Sequence, residues 1–254
     1  MKLGCGIFLD LLKKEPSFYL TRFDHLEIQD FALPANLDYY AGEIVRQYRV
    51  LLKDFRGTLS LHGPFKELFP SSMDHQVQQL AHRRFARALQ LGKELGCRVM
   101  VVHSCYNPLF KYPEYAANWL ENTTRFWEGF LPLCQREKII VVLENIWDPN
   151  PELINRLLGV FDSSNFRACL DTGHAHLSSR LTLETWIRQL GKNLAHLHLH
   201  DNFGKDDEHL PPGRGSIDFS GLHLLRGDHE IALVSEAYGF TAEAKAFLDF
   251  FKDM

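Results

Sequence analysis

The chain has 254 residues, 45% hydrophobic and 24% charged, with a formal net charge of −4 at pH 7. This composition is that of a soluble globular protein with a sizeable core, and it excludes a disordered or fibrous chain. The slight acidity argues against a broad basic surface for nucleic acid; five dispersed cysteines without a CxxC argue against a disulfide framework or a thiolate zinc site, so a reducing cytoplasm is expected.

The first apolar run, Leu3–Phe8, leads towards Asp10 and reads as a strand entering a helix, since no small-residue cleavage site follows it. Further short apolar runs recur at His25–Ile28, Thr58–His62, Arg98–His103, Ile139–Glu144, Arg167–Asp171, Leu194–His200 and Glu230–Glu236, making eight predicted strands. Between the third and fourth, Val77, Leu80, Ala81, Phe85, Ala88, Leu91 and Leu95 follow a period near 3.6, predicting an amphipathic helix stopped by Gly96. Weaker helical patterns occupy Asp38–Leu52, Tyr115–Cys134, Leu183–Leu190 and Ala242–Phe251. No stretch approaches the roughly 20 apolar residues of a membrane span, and no flexible linker divides the chain. Eight βα units in a chain near the roughly 250 residues of a TIM barrel predict one (β/α)8 domain over residues 1–254. The absence of GxGxxG weighs against an open doubly wound sheet.

His62, His103, Glu144, Asp171 and Glu236 each close a different predicted strand, and His198 lies near the end of another. Barrel enzymes place their chemistry at those ends. Any one of these residues could be a packed histidine or a rim carboxylate, but that does not account for six together. Glu144 and Glu236 end nearly uncharged strands with no basic residue beside them, and an unpaired buried carboxylate is costly. A divalent cation shared by Glu144, Asp171, Glu236 and an imidazole from His196, His198 or His200 would neutralise them. Asp171-Thr-Gly-His174 offers a second imidazole, with Gly173 read as a tight-turn residue, and Asp207-Glu-His209 adds a carboxylate and an imidazole in a polar loop. His176 is a weaker candidate for a ligand. His25, His75, His82, His223 and His229 read as surface or packing residues. Phe65, Tyr106, Trp147 and Tyr238 follow strands and are expected either to wall a pocket or to pack the core, while Arg98, Lys111, Lys205 and Arg214 read as a solvated rim.

Taken as an ordered set, Leu61-His62-Gly-Pro-Phe65, Val102-His103, Leu143-Glu144-Asn145, Leu170-Asp171-Thr-Gly-His174, His198-Leu-His-Asp201-Asn202, Asp207-Glu-His209-Leu-Pro-Pro-Gly213-Arg-Gly215 and Ser235-Glu236 resemble the xylose isomerase-like superfamily of sugar phosphate isomerases and epimerases. Endonuclease IV is its DNA-repair relative. The resemblance implies one divalent ion held by Glu144, Asp171, His198 and Glu236. By analogy with the trinuclear zinc site of endonuclease IV, it also implies that His62 and His103 serve another ion, and His174, Asp207 and His209 a third. Zn, Mn, Co or Mg are the expected metals, with more than one ion per chain. Arg214 departs from the endonuclease pattern, which usually has Glu there.

The expected function is therefore metal-dependent isomerisation or epimerisation of a small carbohydrate or sugar phosphate through an enediolate, with Glu144 and Glu236 exchanging protons. The alternatives are zinc-dependent phosphodiester hydrolysis at abasic sites in DNA, and a non-catalytic barrel that binds metal or ligand. Small sugars are the expected partners, nucleic acid is less favoured, and no membrane is involved.

Overall fold

The computed structural model describes residues 1–237 and 241–252. Eight parallel strands close into a barrel in chain order: β1 Lys2–Ile7, β2 His25–Ile28, β3 Thr58–His62, β4 Val99–His103, β5 Ile140–Glu144, β6 Phe166–Asp171, β7 Leu194–Leu199 and β8 Ala232–Ser235, with β8 pairing β1. Among the described residues, nine α-helices accompany them: α1 Leu9–Lys14, α2 Pro16–Arg22, α3 Ala41–Leu51, α4 His75–Leu95, α5 Tyr115–Glu137, α6 Glu152–Phe161, α7 Thr172–Ser178, α8 Leu183–Leu190 and α9 Thr241–Lys252. The open-sheet alternative is thereby discarded. Among the described residues no helix is long and apolar enough to cross a membrane.

The predicted helix before Gly96 is α4. Asp74 caps its start by accepting from the Gln76 N–H, and Gly96 ends it at φ 81°, in the left-handed region that glycine enters without strain. Its apolar stripe, with Ala81, Phe85 and Ala88, is buried, and Phe85 stacks on Trp127 of α5. This shell between helices and strands forms the larger core.

The barrel interior follows the period of two along each strand. On β4 and β5 it is apolar: Val101, Val142 and Cys169 of β6 form a small separate cluster, flanked by Val99, Ile140 and Ala195. Two residues beyond Val101 and Val142 stand His103 and Glu144, paired in register with each other. The opposite side is polar, with His25, Glu27, Ser60 and His196 all buried.

A register shift sets the height of the strand 7 histidines. Ala168 pairs with Leu194, but Cys169 pairs with His196, so β7 carries one extra residue there. As a result Asp171 lies level with His198, where regular pairing would have brought Leu197.

Candidate active site

The ends of β3 to β8 each deliver one side chain to a common centre. Glu144 is fully buried, and its Oε2 lies 3.4 Å from His62 Nε2, 3.5 Å from His103 Nε2 and 3.4 Å from His198 Nδ1. His198 Nδ1 is also 3.4 Å from Glu236 Oε2 and 4.0 Å from Asp171 Oδ2. Glu144, Asp171, His198 and Glu236 can each turn one ligand atom into a cluster no more than 4.8 Å across. His62, Glu144 and His198 form an overlapping group of the same tightness.

A further group comprises His174, His200, Asp207 and His209. His174 Nε2 and His209 Nε2 lie 3.4 Å and 3.2 Å from Asp207 Oδ2, while the His200 and His209 rings stack at 3.8 Å. All nine residues singled out from the sequence for metal thus meet at one end of the barrel. His200, not among those nine, joins the loop group, with its Nε2 3.0 Å from Asp171 Oδ1.

The donors have the character of metal ligands. Glu144 Oε1 and Oε2, His198 Nδ1 and His200 Nδ1 are buried without hydrogen-bond partners among the described residues. An atom so placed loses its hydration without recompense unless a cation or proton sits against it. Oxygen and imidazole nitrogen donors suit Zn, Mn, Co or Mg.

Electrostatics point the same way. Burial alone would raise the Glu144 carboxyl, yet the imidazoles of His103, His198 and His174 hold it well below the usual carboxylate range. Burial would depress His62, but Glu144 raises it to about 9; His103, where burial prevails, falls to about 3. His174, His198 and His209 are likewise raised, against their burial, by the surrounding carboxylates.

Two supporting residues escaped the sequence reading. Glu27, on β2 and fully buried, places Oε1 2.9 Å from His198 Nε2 and Oε2 3.0 Å from His196 Nε2, and accepts from Ser60 Oγ at 2.7 Å. It braces the far side of the His198 ring and leaves Nδ1 facing the cluster. Gln29 donates from Nε2 to Glu236 Oε1 at 2.5 Å, leaving Oε2 turned to His198. His196 belongs to this bracing layer. His25 is buried there too, bonded to Thr58 and Ser60, so it is a packing residue rather than a surface one.

One expectation needs correction. Gly173 sits inside α7, so no tight turn requires it; a Cβ there would lie 1.9 Å from His200 Cε1, and close packing is the reason for glycine. His176 stays outside the clusters and meets Ser216 Oγ at 3.1 Å. Tyr106 stacks on Tyr115 away from the cavity, whereas Phe65 and Trp147 line it; Tyr238 lies outside the described residues. Arg98 precedes β4, at the end of the barrel remote from the site.

The loop bearing Asp207 and His209 is held by Asp201. Its carboxylate accepts from the backbone N–H groups of Asn202, Gly213, Gly215 and Ile217 at 2.8–3.1 Å. Above the clusters opens a cavity of about 660 Å³, with the buried Glu144 and Glu236 at its floor and the exposed Phe8, Leu33, Phe69 and Trp147, together with Asp207, towards solvent.

A family model described as a xylose isomerase-like TIM barrel matches residues 23–225. The chain belongs to this family. Among relatives of this xylose isomerase-like barrel, the uncharacterized protein MJ1311 of Methanocaldococcus jannaschii is 30% identical over 68% of this chain and 61% of its own length. The TTHB071 protein from Thermus thermophilus, in a structure soaked with ZnCl2, superposes with a TM-score of 0.81 at 26% identity, over 100% of this chain and 97% of that one. A D-tagatose 3-epimerase-like protein gives a TM-score of 0.79 at 25% identity, over 100% and 96% of the two chains.

Proposed function

We propose that this protein is a metal-dependent isomerase or epimerase that moves a proton at a carbon beside the carbonyl of a small sugar. The observation carrying this reading is the pair of buried carboxylates, Glu144 and Glu236, which both line the cavity and both lie 3.4 Å from His198 Nδ1. Of two carboxylates at the floor of one cavity, one can take the proton and, as the acid so formed, return it to the neighbouring carbon in an isomerisation; an epimerisation needs the other carboxylate to be protonated first, to return a proton from the opposite face. The resemblance to a D-tagatose 3-epimerase-like protein supports a sugar as the reactant, and the ZnCl2-soaked relative supports zinc among the candidate ions.

Glu144, Asp171, His198 and Glu236 would hold the ion. When bound, it would supply Lewis-acid stabilisation for negative charge developing on the carbonyl oxygen. The chain's own groups do the rest. Glu236 is oriented by Gln29, which donates to Oε1 and turns Oε2 towards His198 Nδ1; its carboxylate would take the proton. Glu144, held as carboxylate by its histidines, meets the substrate from another strand. Phe65 and Trp147 help exclude water, which would otherwise compete for the transferred proton.

The group formed by His174, His200, Asp207 and His209 keeps a second reading in play, hydrolysis of a phosphodiester by several ions. Both readings are tested by incubating metal-loaded protein with a ketose panel and, separately, with an abasic DNA duplex. Conversion of a ketose to its epimer or aldose, abolished by chelator, is expected. Incision of the duplex with no sugar converted would replace the proposal by the repair activity.

A further inference from the structure

The floor of the cavity is built of carboxylates and imidazoles, but its mouth has another chemistry. Phe8, Leu33, Phe69 and Trp147 line it, and each is 37–46% exposed, an unusual concentration of large apolar side chains beside a polar centre. Among the described residues, Lys66 is the one Lys or Arg in the lining, and its Nζ sits 4.8 Å from the centroid of the Phe65 ring. Glu67, also in the lining, opposes that charge. Residues 238–240 are Tyr-Gly-Phe and supply no further cation.

We infer that the substrate is an unphosphorylated sugar carrying an apolar substituent, which packs against Phe8, Leu33, Phe69 and Trp147 while the carbonyl end reaches Glu144 and Glu236. The orientation rests on the proposed proton transfer, which fixes the carbonyl end at the floor. The distal end then lies among apolar side chains. A phosphate there would exchange its hydration for aromatic and aliphatic surface, opposed by Glu67 and helped only by Lys66, an arrangement unlike the Arg forks and backbone N–H nests that hold phosphates. An apolar group would instead remove its own surface and that of four side chains from water. The cavity volume, about 660 Å³, falls within the roughly 300–1,000 Å³ that encloses drug-sized ligands, more than a six-carbon sugar fills.

The test uses D-fructose and D-tagatose, each as the free sugar, the 6-phosphate and the 6-O-benzyl ether, titrated calorimetrically into metal-loaded protein. The benzyl ether of at least one sugar is expected to bind about ten-fold more tightly than the free sugar, and the phosphate no more tightly. Trp147→Ala and Leu33→Ser should each shrink the benzyl-to-free ratio; the ratio is internally controlled, and Leu33→Ser leaves the tryptophan in place. Equal affinity for benzyl and free sugar, tighter binding of the phosphate, or no binding by any of the six would overturn the inference. Binding is read independently of turnover: a benzyl preference without proton exchange would sink the proposed reaction and leave the subsite, and exchange without the preference would do the reverse.

Discussion

Glu27 carries more of the site than its place on a short strand suggests. It fixes the His198 ring from behind, and such a carboxylate partner typically changes metal affinity by about 10–100-fold. Glu27→Gln should therefore weaken metal binding by that order while leaving the circular dichroism of the fold intact; unchanged affinity in a competition titration would reduce Glu27 to core packing. Asp148 makes a separate point about burial. Its carboxyl is pushed up from 3.8 to about 6 by burial, although it accepts from Ser104 Oγ and the Ile146 N–H. A raised carboxyl favours the protonated folded state, so the stability it contributes is present below pH 3.8 and disappears as pH rises through 6, a change of about 3 kcal/mol. Asp148→Asn should consequently be the more stable protein in urea at pH 8, by about 2 kcal/mol, with the advantage fading towards pH 4; an equal effect at both pH values would show that charge is not the cause. Glu144 and Glu236 were legible in the sequence because each ends an apolar strand without a counter-ion. Glu27 and Gln29 were not, because nothing local marks a residue whose partners lie 171 and 207 positions away.

The loop that follows β7 behaves as a mount for Asp207 and His209. Four backbone donors converge on the Asp201 carboxylate, and hydrogen bonds to a charged acceptor are worth about 1.5–3 kcal/mol each. Asp201→Ala should release the loop: the amides of Gly213, Gly215 and Ile217 would exchange with solvent faster by at least ten-fold, about 1.4 kcal/mol of local stability, and the protein would lose the ion expected at His174, Asp207 and His209. Retained protection at those amides would show that the loop is held from elsewhere. The Asp201-Asn202 pair was visible as part of the motif, but its bond to amides 12–16 residues ahead required the folded loop. Strand elements were easier. Short apolar runs located all eight, whereas the extra residue of β7 at Ala195, which aligns His198 with Asp171, leaves no signature in hydrophobic pattern.

At the scale of the whole molecule, barrel closure was readable because eight apolar runs alternating with helical segments admit few other arrangements, and a barrel must gather its strand ends into one site. What the apolar runs could not reveal is the division of the interior into an apolar half at β4–β6 and a polar half at β2, β3 and β7, which places His103 and Glu144 over an apolar layer and His198 against a layer of buried hydrogen bonds. Since the larger core consists of packed apolar side chains rather than metal ligands, chelation should lower the melting temperature without unfolding the chain; each ion present at 100 times its dissociation constant contributes about 2.7 kcal/mol. Elemental analysis of protein purified without chelator should find more than one ion per chain, and loss of near-UV circular dichroism on chelation would contradict this division between core and metal. The central claim is that Glu236 and Glu144 transfer a proton at the floor of the cavity. It is tested most directly by NMR in deuterated water, following the hydrogens beside the carbonyl of each ketose in a panel with wild-type, Glu236→Gln and Glu144→Gln proteins of measured metal content. The account predicts that the wild type exchanges one such hydrogen in at least one sugar, and that Glu236→Gln loses the exchange while still holding metal; undiminished exchange by metal-loaded Glu236→Gln would contradict it.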